Sequence, residues 1–233
     1  MKLHRFIVSN LVAGQIQLDD QELYNQWKNV LRLEPGVEIL LTDGQGQEAL
    51  AKIVTYQAKQ VLIDIGEVKI IDMGEGNQVT LCCAVLKKEN FELVCQKATE
   101  IGVSQIIPVV TDRTVKLGLN EERLQKIIKE AVEQSGRVTV PILNQITNWS
   151  EVLTLSDFDR KIIFDKQGDG LETGHQLKNE KIAILVGPEG GFTAEEIVEA
   201  KQVGWEVKNL GFNVLRGETA AMVATYLTVN NLV

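Results

Sequence analysis

The segment Ile184-Leu185-Val186-Gly187-Pro188-Glu189-Gly190-Gly191-Phe192-Thr193-Ala194-Glu195-Glu196 holds the residue types and spacing best suited to grip a ligand. An apolar run of strand type ends in a turn with three glycines, and a helix follows. Without side chains, the glycines let backbone approach a bound molecule closely. Thr193 and Glu196 have the spacing of a capping box, in which the hydroxyl takes the amide three residues on and the carboxylate reaches back. Open α/β sheets bind ligands at the carboxyl ends of their strands, where such a turn lies. The pattern is not Gly-x-Gly-x-x-Gly and carries no Lys-Ser/Thr, so neither the dinucleotide fingerprint nor a P-loop is present. Glu189 would repel a polyphosphate, so a neutral or cationic ligand fits better. The plainer alternative is an ordinary strand-to-helix turn.

A second segment is Asn209-Leu210-Gly211-Phe212-Asn213-Val214-Leu215-Arg216-Gly217-Glu218-Thr219-Ala220. An apolar stretch runs into a lone Arg just before a helix start. Such an Arg can hold a phosphate or a developing negative charge. Glu218 in the first turn suits the helix dipole. The alternative is a surface Arg216 paired with Glu218. A third segment, Glu133-Gln134-Ser135-Gly136-Arg137, puts Gln134 and Arg137 at a helix end; a solvated C-cap would explain it equally well. Lys87, Lys88, Lys97 and Arg113 make a thin basic set, each of which could simply be solvated.

The elements that would position these residues fall into two groups. In the first, residues 5–8, 37–42, 49–55 and 60–65 read as strands. Asp43-Gly44-Gln45-Gly46 marks a hairpin, and Leu23, Trp27, Val30 and Leu31 mark one face of a helix over 22–32. Residues 73–77 read as a linker. Beyond it, strands at 79–86, 105–110, 161–164 and 182–186 alternate with helices. Phe91, Val94, Cys95, Ala98 and Ile101 mark the face of the first helix, which Gly102 ends. Asn120 caps the second, whose face is Leu124, Ile127, Ile128, Ala131 and Ser135. Two more helices span 195–203 and 218–232. Strand–helix alternation predicts a mostly parallel sheet covered on both faces.

Composition bounds the function. The 233 residues are 44% hydrophobic and 24% charged, ordinary for a globular chain with a sizeable core. The net charge of −8 counts against a simple RNA coat protein, which would be basic, but not against an enzyme with one basic face. Cys82, Cys83 and Cys95 lack a Cys-x-x-Cys spacing, and His4 and His175 lack ligand partners nearby; neither a disulfide framework nor a metal site is expected. No apolar run is long enough to span a bilayer, and the first residues lack a signal-peptide core, so the expectation is a cytoplasmic protein with no membrane role.

Several segments, taken in order, resemble the SPOUT superfamily of methyltransferases and, within it, the ribosomal RNA small subunit methyltransferase E family. They begin with Arg5-Phe6, Val30-Leu31-Arg32-Leu33 with Pro35-Gly36, and Gln96-Lys97-Ala98-Thr99-Glu100-Ile101-Gly102. Glu133-Gln134-Ser135-Gly136-Arg137 with Val140-Pro141, the Leu185–Phe192 turn, and Leu210-Gly211 with Val214-Leu215-Arg216 and Glu218-Thr219-Ala220 follow. The match spans nearly the whole chain.

The resemblance implies an α/β protein with a small PUA-like β-barrel at 1–72 that helps bind RNA. It implies a SPOUT α/β methyltransferase domain at 73–233, threaded into a deep trefoil knot. The reaction implied is methyl transfer from S-adenosylmethionine to N3 of a uridine in 16S ribosomal RNA, by a homodimer acting on that RNA or the small ribosomal subunit. Cofactor contacts fall to Leu185, Val186, Gly187, Glu189, Gly190, Gly191, Leu210, Gly211, Val214, Leu215, Thr219 and Ala220. Catalysis falls to Arg216 and Glu218, and RNA contact to Arg5, Arg32, Lys87, Lys97, Arg113 and Arg137. The family usually has Arg where Asn213 stands and Thr where Gly217 stands, and a histidine of its N-terminal helix is absent here. Two other readings are a SPOUT enzyme acting on another RNA and a non-catalytic RNA-binding assembly factor.

Overall fold

A computed structural model describes residues 3–71, 76–115, 118–171 and 179–233. His175 and most of the 73–77 linker lie outside the described residues. Contacts divide the chain into two units: residues of 1–73 with Val132–Thr139, and residues of 74–131 with those of 140–233.

The first unit is a mixed sheet of β1 (Arg5–Ile7), β2 (Gly14–Leu18), β3 (Glu38–Thr42), β4 (Gln47–Gln57), β5 (Gln60–Ile65) and β6 (Lys69–Ile70). The strand order is β1-β3-β4-β5-β2, with β6 on β4. β1 and β3 run parallel and the other pairs antiparallel. Along β4, Ala49, Ala51 and Ile53 point inward in the period-2 alternation of a half-buried strand, and they share a core with Phe6, Leu23, Trp27, Ile39, Leu41 and Ile63.

Helix α1 (Gln21–Tyr24) is capped by Asp20, whose carboxylate accepts the amides of Glu22 and Leu23 at 2.9 and 3.0 Å. It continues over Asn25–Val30 as a π-helix rather than the α-helix expected over 22–32. The wider i→i+5 turn, seen in the bond from Leu31 N to Gln26 O, keeps Leu23 and Trp27 inside but swings Val30 out to 67% exposure. Val132–Thr139 joins this unit through main-chain partners. Glu133 Oε1 accepts the Ile7 amide at 3.1 Å, and Val138 O accepts the Gly46 amide and the Thr42 hydroxyl.

The second unit carries β7 (Gln78–Ala84), α2 (Lys88–Ile101), β8 (Gln105–Val110), β9 (Ile142–Leu143), β10 (Thr147–Asn148) and α4 (Trp149–Leu153). It continues with β11 (Arg160–Gly170), β12 (Lys181–Val186), α5 (Ala194–Gln202), β13 (Glu206–Asn209) and α6 (Gly217–Val229); α3 is Glu121–Ser135. The strand order is β10-β8-β7-β12-β11-β13, with β9 on β8, and each of these pairings is parallel. The sheet is buried on both faces, which is why its strands read as continuous apolar runs. Leu81, Cys83, Ile162 and Ile184 pack beneath α2 and α6; Cys82, Ile163, Ala183 and Leu185 pack on the other side with Val152 of α4 and Ile197 of α5.

Local sequence explains the helix ends. Gly102, at φ 123°, stops α2, and its amide and that of Val103 both reach Ala98 O. The Asn120 side chain accepts the Arg123 amide at 3.0 Å to start α3. Buried hydroxyls in α6 are satisfied within the helix, Thr225 donating to Ala221 O and Thr228 to Ala224 O.

Candidate functional site

The middle of β11, the carboxyl end of β12, the turn after β12 and the segment between β13 and α6 together line one cleft in the second unit. Val186, Gly187, Pro188 and Phe192 form one wall. Asn209, Leu210, Gly211, Asn213, Val214 and Leu215 form another. Phe164, Asp165 and Lys166 come from β11, and Gly217 and Ala220 from the start of α6. This is the edge of a parallel sheet at which ligands are expected.

The turn is stiffened from several directions. Thr193 Oγ1 accepts the Glu196 amide at 3.1 Å, and Glu196 Oε2 accepts the Thr193 amide at 2.8 Å, completing the capping box. Gly191 N donates to Pro188 O at 2.8 Å. Gly187 is closely packed: a Cβ there would lie 3.0–3.2 Å from the Phe192 ring, which would have to give way. Arg113 Nη1 donates to Gly190 O at 2.8 Å and to Phe192 O at 3.2 Å.

Of the residues assigned to the cofactor, Val186, Gly187, Leu210, Gly211, Val214, Leu215 and Ala220 line the cleft. Leu185 turns its side chain into the core on the α5 side of the sheet, fully buried. Glu189 and Gly190 are exposed, Gly191 and Thr219 are half-buried, and none of the four lines the cleft. Glu189 Oε1 instead faces the Lys87 amide at 3.4 Å.

Phe164, Asp165, Lys166, Asn209 and Asn213 were not assigned from sequence. The only available signal for Asp165 and Lys166 is their place just past the apolar Ile162-Ile163-Phe164 of a parallel strand. There the register of β11 against β13 slips between Phe164 and Asp169, and a Cβ on Gly168 would lie 2.6–2.7 Å from Lys208 backbone.

Arg216 is the N-cap of α6, exposed, with no hydrogen bond or ion pair from its side chain among the described residues. It does not pair with Glu218. The Glu218 carboxylate is buried in the first helical turn, and its Oε2 has no hydrogen-bond partner. An unmet buried acceptor is costly unless a ligand completes it.

The basic residues sort differently from their sequence grouping. In the first unit, Arg5 is ion-paired with Glu48 and part-buried, Arg32 is exposed with φ 52°, and Arg137 is half-buried. Burial lowers the Arg137 pKa to about 10, and its Nη2 lies 3.4 Å from Thr139 Oγ1. In the second unit, Lys87 is exposed at the start of α2, and Lys97 pairs with Glu100 at 2.9 Å. A cleft within the first unit is lined by His4, Arg5, Phe6, Gln26, Glu133 and Gln134 among others.

The thiols are chemically quiet. Burial pushes Cys82 and Cys95 up to about 12 and Cys83 higher still, so none supplies a thiolate at neutral pH. Among the described residues no three His, Cys, Asp or Glu side chains converge on a metal-sized site, and no helix is long and apolar enough to cross a membrane.

The donor set suits a ligand with an apolar heterocycle and a positive centre. The lining is largely apolar and glycine-rich, it holds the Asp165 carboxylate while Glu218 does not line it, and no phosphate-cradling motif is present. Comparison with known proteins bears on this site. Residues 74–229 match the family described as RNA methyltransferase domain, and residues 28–66 the family described as RNA methyltransferase PUA domain. The ribosomal RNA small subunit methyltransferase E of Rickettsia conorii is 30% identical, over 96% of this chain and 94% of that protein. The crystal structure of the Neisseria gonorrhoeae ribosomal RNA small subunit methyltransferase E, bound to S-adenosylmethionine, superposes with TM-score 0.90 at 28% identity, covering 99% of this chain and 98% of that one. A Legionella pneumophila protein solved with the same cofactor superposes with TM-score 0.88 at 28% identity, with the same coverage of both chains. With the cleft formed from the segments that carry the resemblance, these matches show that the chain belongs to the ribosomal RNA small subunit methyltransferase E family of RNA methyltransferases.

Proposed function

We propose that this chain transfers a methyl group from S-adenosylmethionine to N3 of a specific uridine in 16S ribosomal RNA. The observation that carries the reading is the cleft between the Gly187–Phe192 turn and the Leu210–Leu215 segment, with the free guanidinium of Arg216 at the start of α6. The cofactor supplies an electrophilic methyl on a positively charged sulfur. Backbone groups of Gly187, Leu210 and Leu215 are placed to hold it, with Val186, Gly211, Val214 and Ala220 closing around it. Glu189, Gly190, Gly191 and Thr219 support these walls.

Catalysis on this reading is mostly positioning of two reactants. The uracil N3–H bond breaks, a new N–CH3 bond forms, and the methyl–sulfur bond breaks. Negative charge that develops on the ring oxygens would meet Arg216, whose side chain makes no cap hydrogen bond among the described residues. Glu218, whose Oε2 is buried and unpartnered, is the carboxylate available to take the N3 proton. The base must leave its stack to reach the cleft.

RNA contact falls to the first unit and the basic residues, with Arg32 and Lys87 the exposed members of the set and Arg137 half-buried. The unit boundary near residue 72, the PUA-like barrel, the trefoil knot and the homodimer belong to the same reading. Packing of α6 on α2 and over β7 and β12 supports a chain end folded back across early elements. Modified-nucleoside mapping of 16S RNA from cells lacking this chain tests the reading. Loss of one N3-methyluridine, restored by the wild-type chain, is expected; an unchanged modification map sinks it. Calorimetry in chelator should show one cofactor site per subunit, and light scattering a dimer at micromolar concentration.

A further inference from the structure

We infer that Arg113 is a positioning residue for cofactor binding, fixing the glycine turn from outside the cleft; this rests on reading that cleft as the S-adenosylmethionine site. Arg113 follows β8, yet its guanidinium spans to the turn after β12, donating to Gly190 O at 2.8 Å and Phe192 O at 3.2 Å. Of the two residues so held, Phe192 lines the cleft, on the wall it forms with Val186, Gly187 and Pro188.

The contact is built on both sides. On the turn, the Arg113 stem lies over Gly190, where a Cβ would come within ordinary contact distance of Arg113 Cδ (3.4 Å) and Cβ (3.5 Å). On the loop, Thr111 and Thr114 lock a tight bend. Thr114 Oγ1 accepts the Thr111 amide at 2.9 Å, and the Thr114 amide returns to Thr111 O at 3.1 Å. A second latch runs alongside. The Glu196 carboxylate, only 5% exposed, accepts the Asp112 amide through Oε1 at 2.9 Å and the Thr193 amide through Oε2 at 2.8 Å. The loop after β8 and the turn after β12 therefore move as one piece. Both bonds come from Nη1, whose two N–H groups serve the two carbonyls at once and carry the charge to them.

This assignment differs from RNA contact, the role the sequence suggests for Arg113. A guanidinium committed to two carbonyls is a poor phosphate ligand. The two roles separate in one set of measurements on the full-length protein. Arg113→Ala should raise the dissociation constant for S-adenosylmethionine about tenfold, as loss of charge-assisted hydrogen bonds does. The KM for the cofactor should rise far more than single-turnover methylation at saturating cofactor falls. Arg113→Lys, which keeps the stem over Gly190 and one donor, should recover part of the affinity. The salt dependence of RNA binding should not change, whereas loss of a phosphate contact would lower its slope by about 0.7–0.9. If wild-type protein binds the cofactor and Arg113→Ala binds equally well, or if the salt slope falls, the positioning role is overturned while the methyltransferase reading stands. If wild-type protein shows no cofactor binding, both fall. Thermal unfolding of each variant reports whether the fold persists, and a folded Arg113→Lys suffices to decide should Arg113→Ala not fold.

Discussion

A Cβ atom on Gly217 would lie 2.8 Å from Cδ2 of Leu86. Leu86 is 1% exposed in the core of the second unit, so the first residue of α6 has no spare room. Gly217→Thr, the residue usual at this place in the family, should cost about 1–3 kcal/mol by overpacking. Adding Leu86→Val should return part of the loss. Urea unfolding measures both; equal stability of Gly217→Thr and wild type would show that Leu86 swings aside freely.

Gly187 is the glycine on which the cleft depends most directly. An added Cβ would press on the Phe192 ring, which is itself wedged against Trp149 at a centroid distance of 5.7 Å. Gly187→Ala should weaken S-adenosylmethionine binding at least about tenfold, because small displacements of a binding wall are amplified in affinity and rate. Gly190→Ala, meeting only the Arg113 stem at ordinary contact distance, should do less. Calorimetry on both variants decides, and a reversed order would relocate the critical wall.

Arg216→Ala should keep cofactor affinity within about tenfold while single-turnover methylation falls about a hundredfold or more, the usual effect of removing a preorganised charge. Arg216→Lys should recover only part of the rate. Glu218→Gln preserves shape and removes the carboxylate; it should slow turnover about tenfold or more if Glu218 accepts the proton. Full activity of Arg216→Ala at saturating RNA would leave the guanidinium without a chemical role.

The three buried thiols make stability fall in alkali. Cys82 and Cys95 rise from the ordinary 9.0 to about 12, and Cys83 shifts the same way. Raised values mean that the folded chain holds these protons more tightly than the unfolded one. Their contribution is complete below pH 9 and is lost between about pH 9 and 12. Denaturant midpoints should therefore drop across that window. Thiol labelling of native protein at pH 8 should track global unfolding; fast labelling would show that the thiols open locally.

The β12–turn–α5 segment was legible because three signals coincide there: an apolar run, glycines and the Thr193–Glu196 spacing. Strand β5 and the Gly102 stop were legible for similar local reasons. Arg113 was not, since a sequence shows a charge but not the carbonyls it will meet across the fold. Asp165 and Lys166 lie in β11 just past its apolar stretch with no mark of their own, and only the neighbouring segments make them part of a wall. The two-residue β6, β9 and β10, the four-residue β13 with its single apolar Val207, and the five-residue α4 escaped for want of periodicity, whereas the alternation of Ile16 and Leu18 in β2 was a signal too short to stand out. Val132–Thr139 groups with the first unit through long-range main-chain bonds to Ile7, Thr42 and Gly46, which no local pattern announces.

The parallel register of β7 with β12 also sets the order in which the protein can be made. Gln78 pairs with Lys181 and Cys83 with Val186, so one edge of β7 waits for its partner while the intervening chain is synthesised. Loops of that length close slowly, and pairings so distant in sequence lower the folding rate. On the ribosome, the nascent second unit must therefore carry an apolar strand with an open edge until β12 emerges. In that interval aggregation competes with folding, and chaperone supply should govern yield more than final stability does.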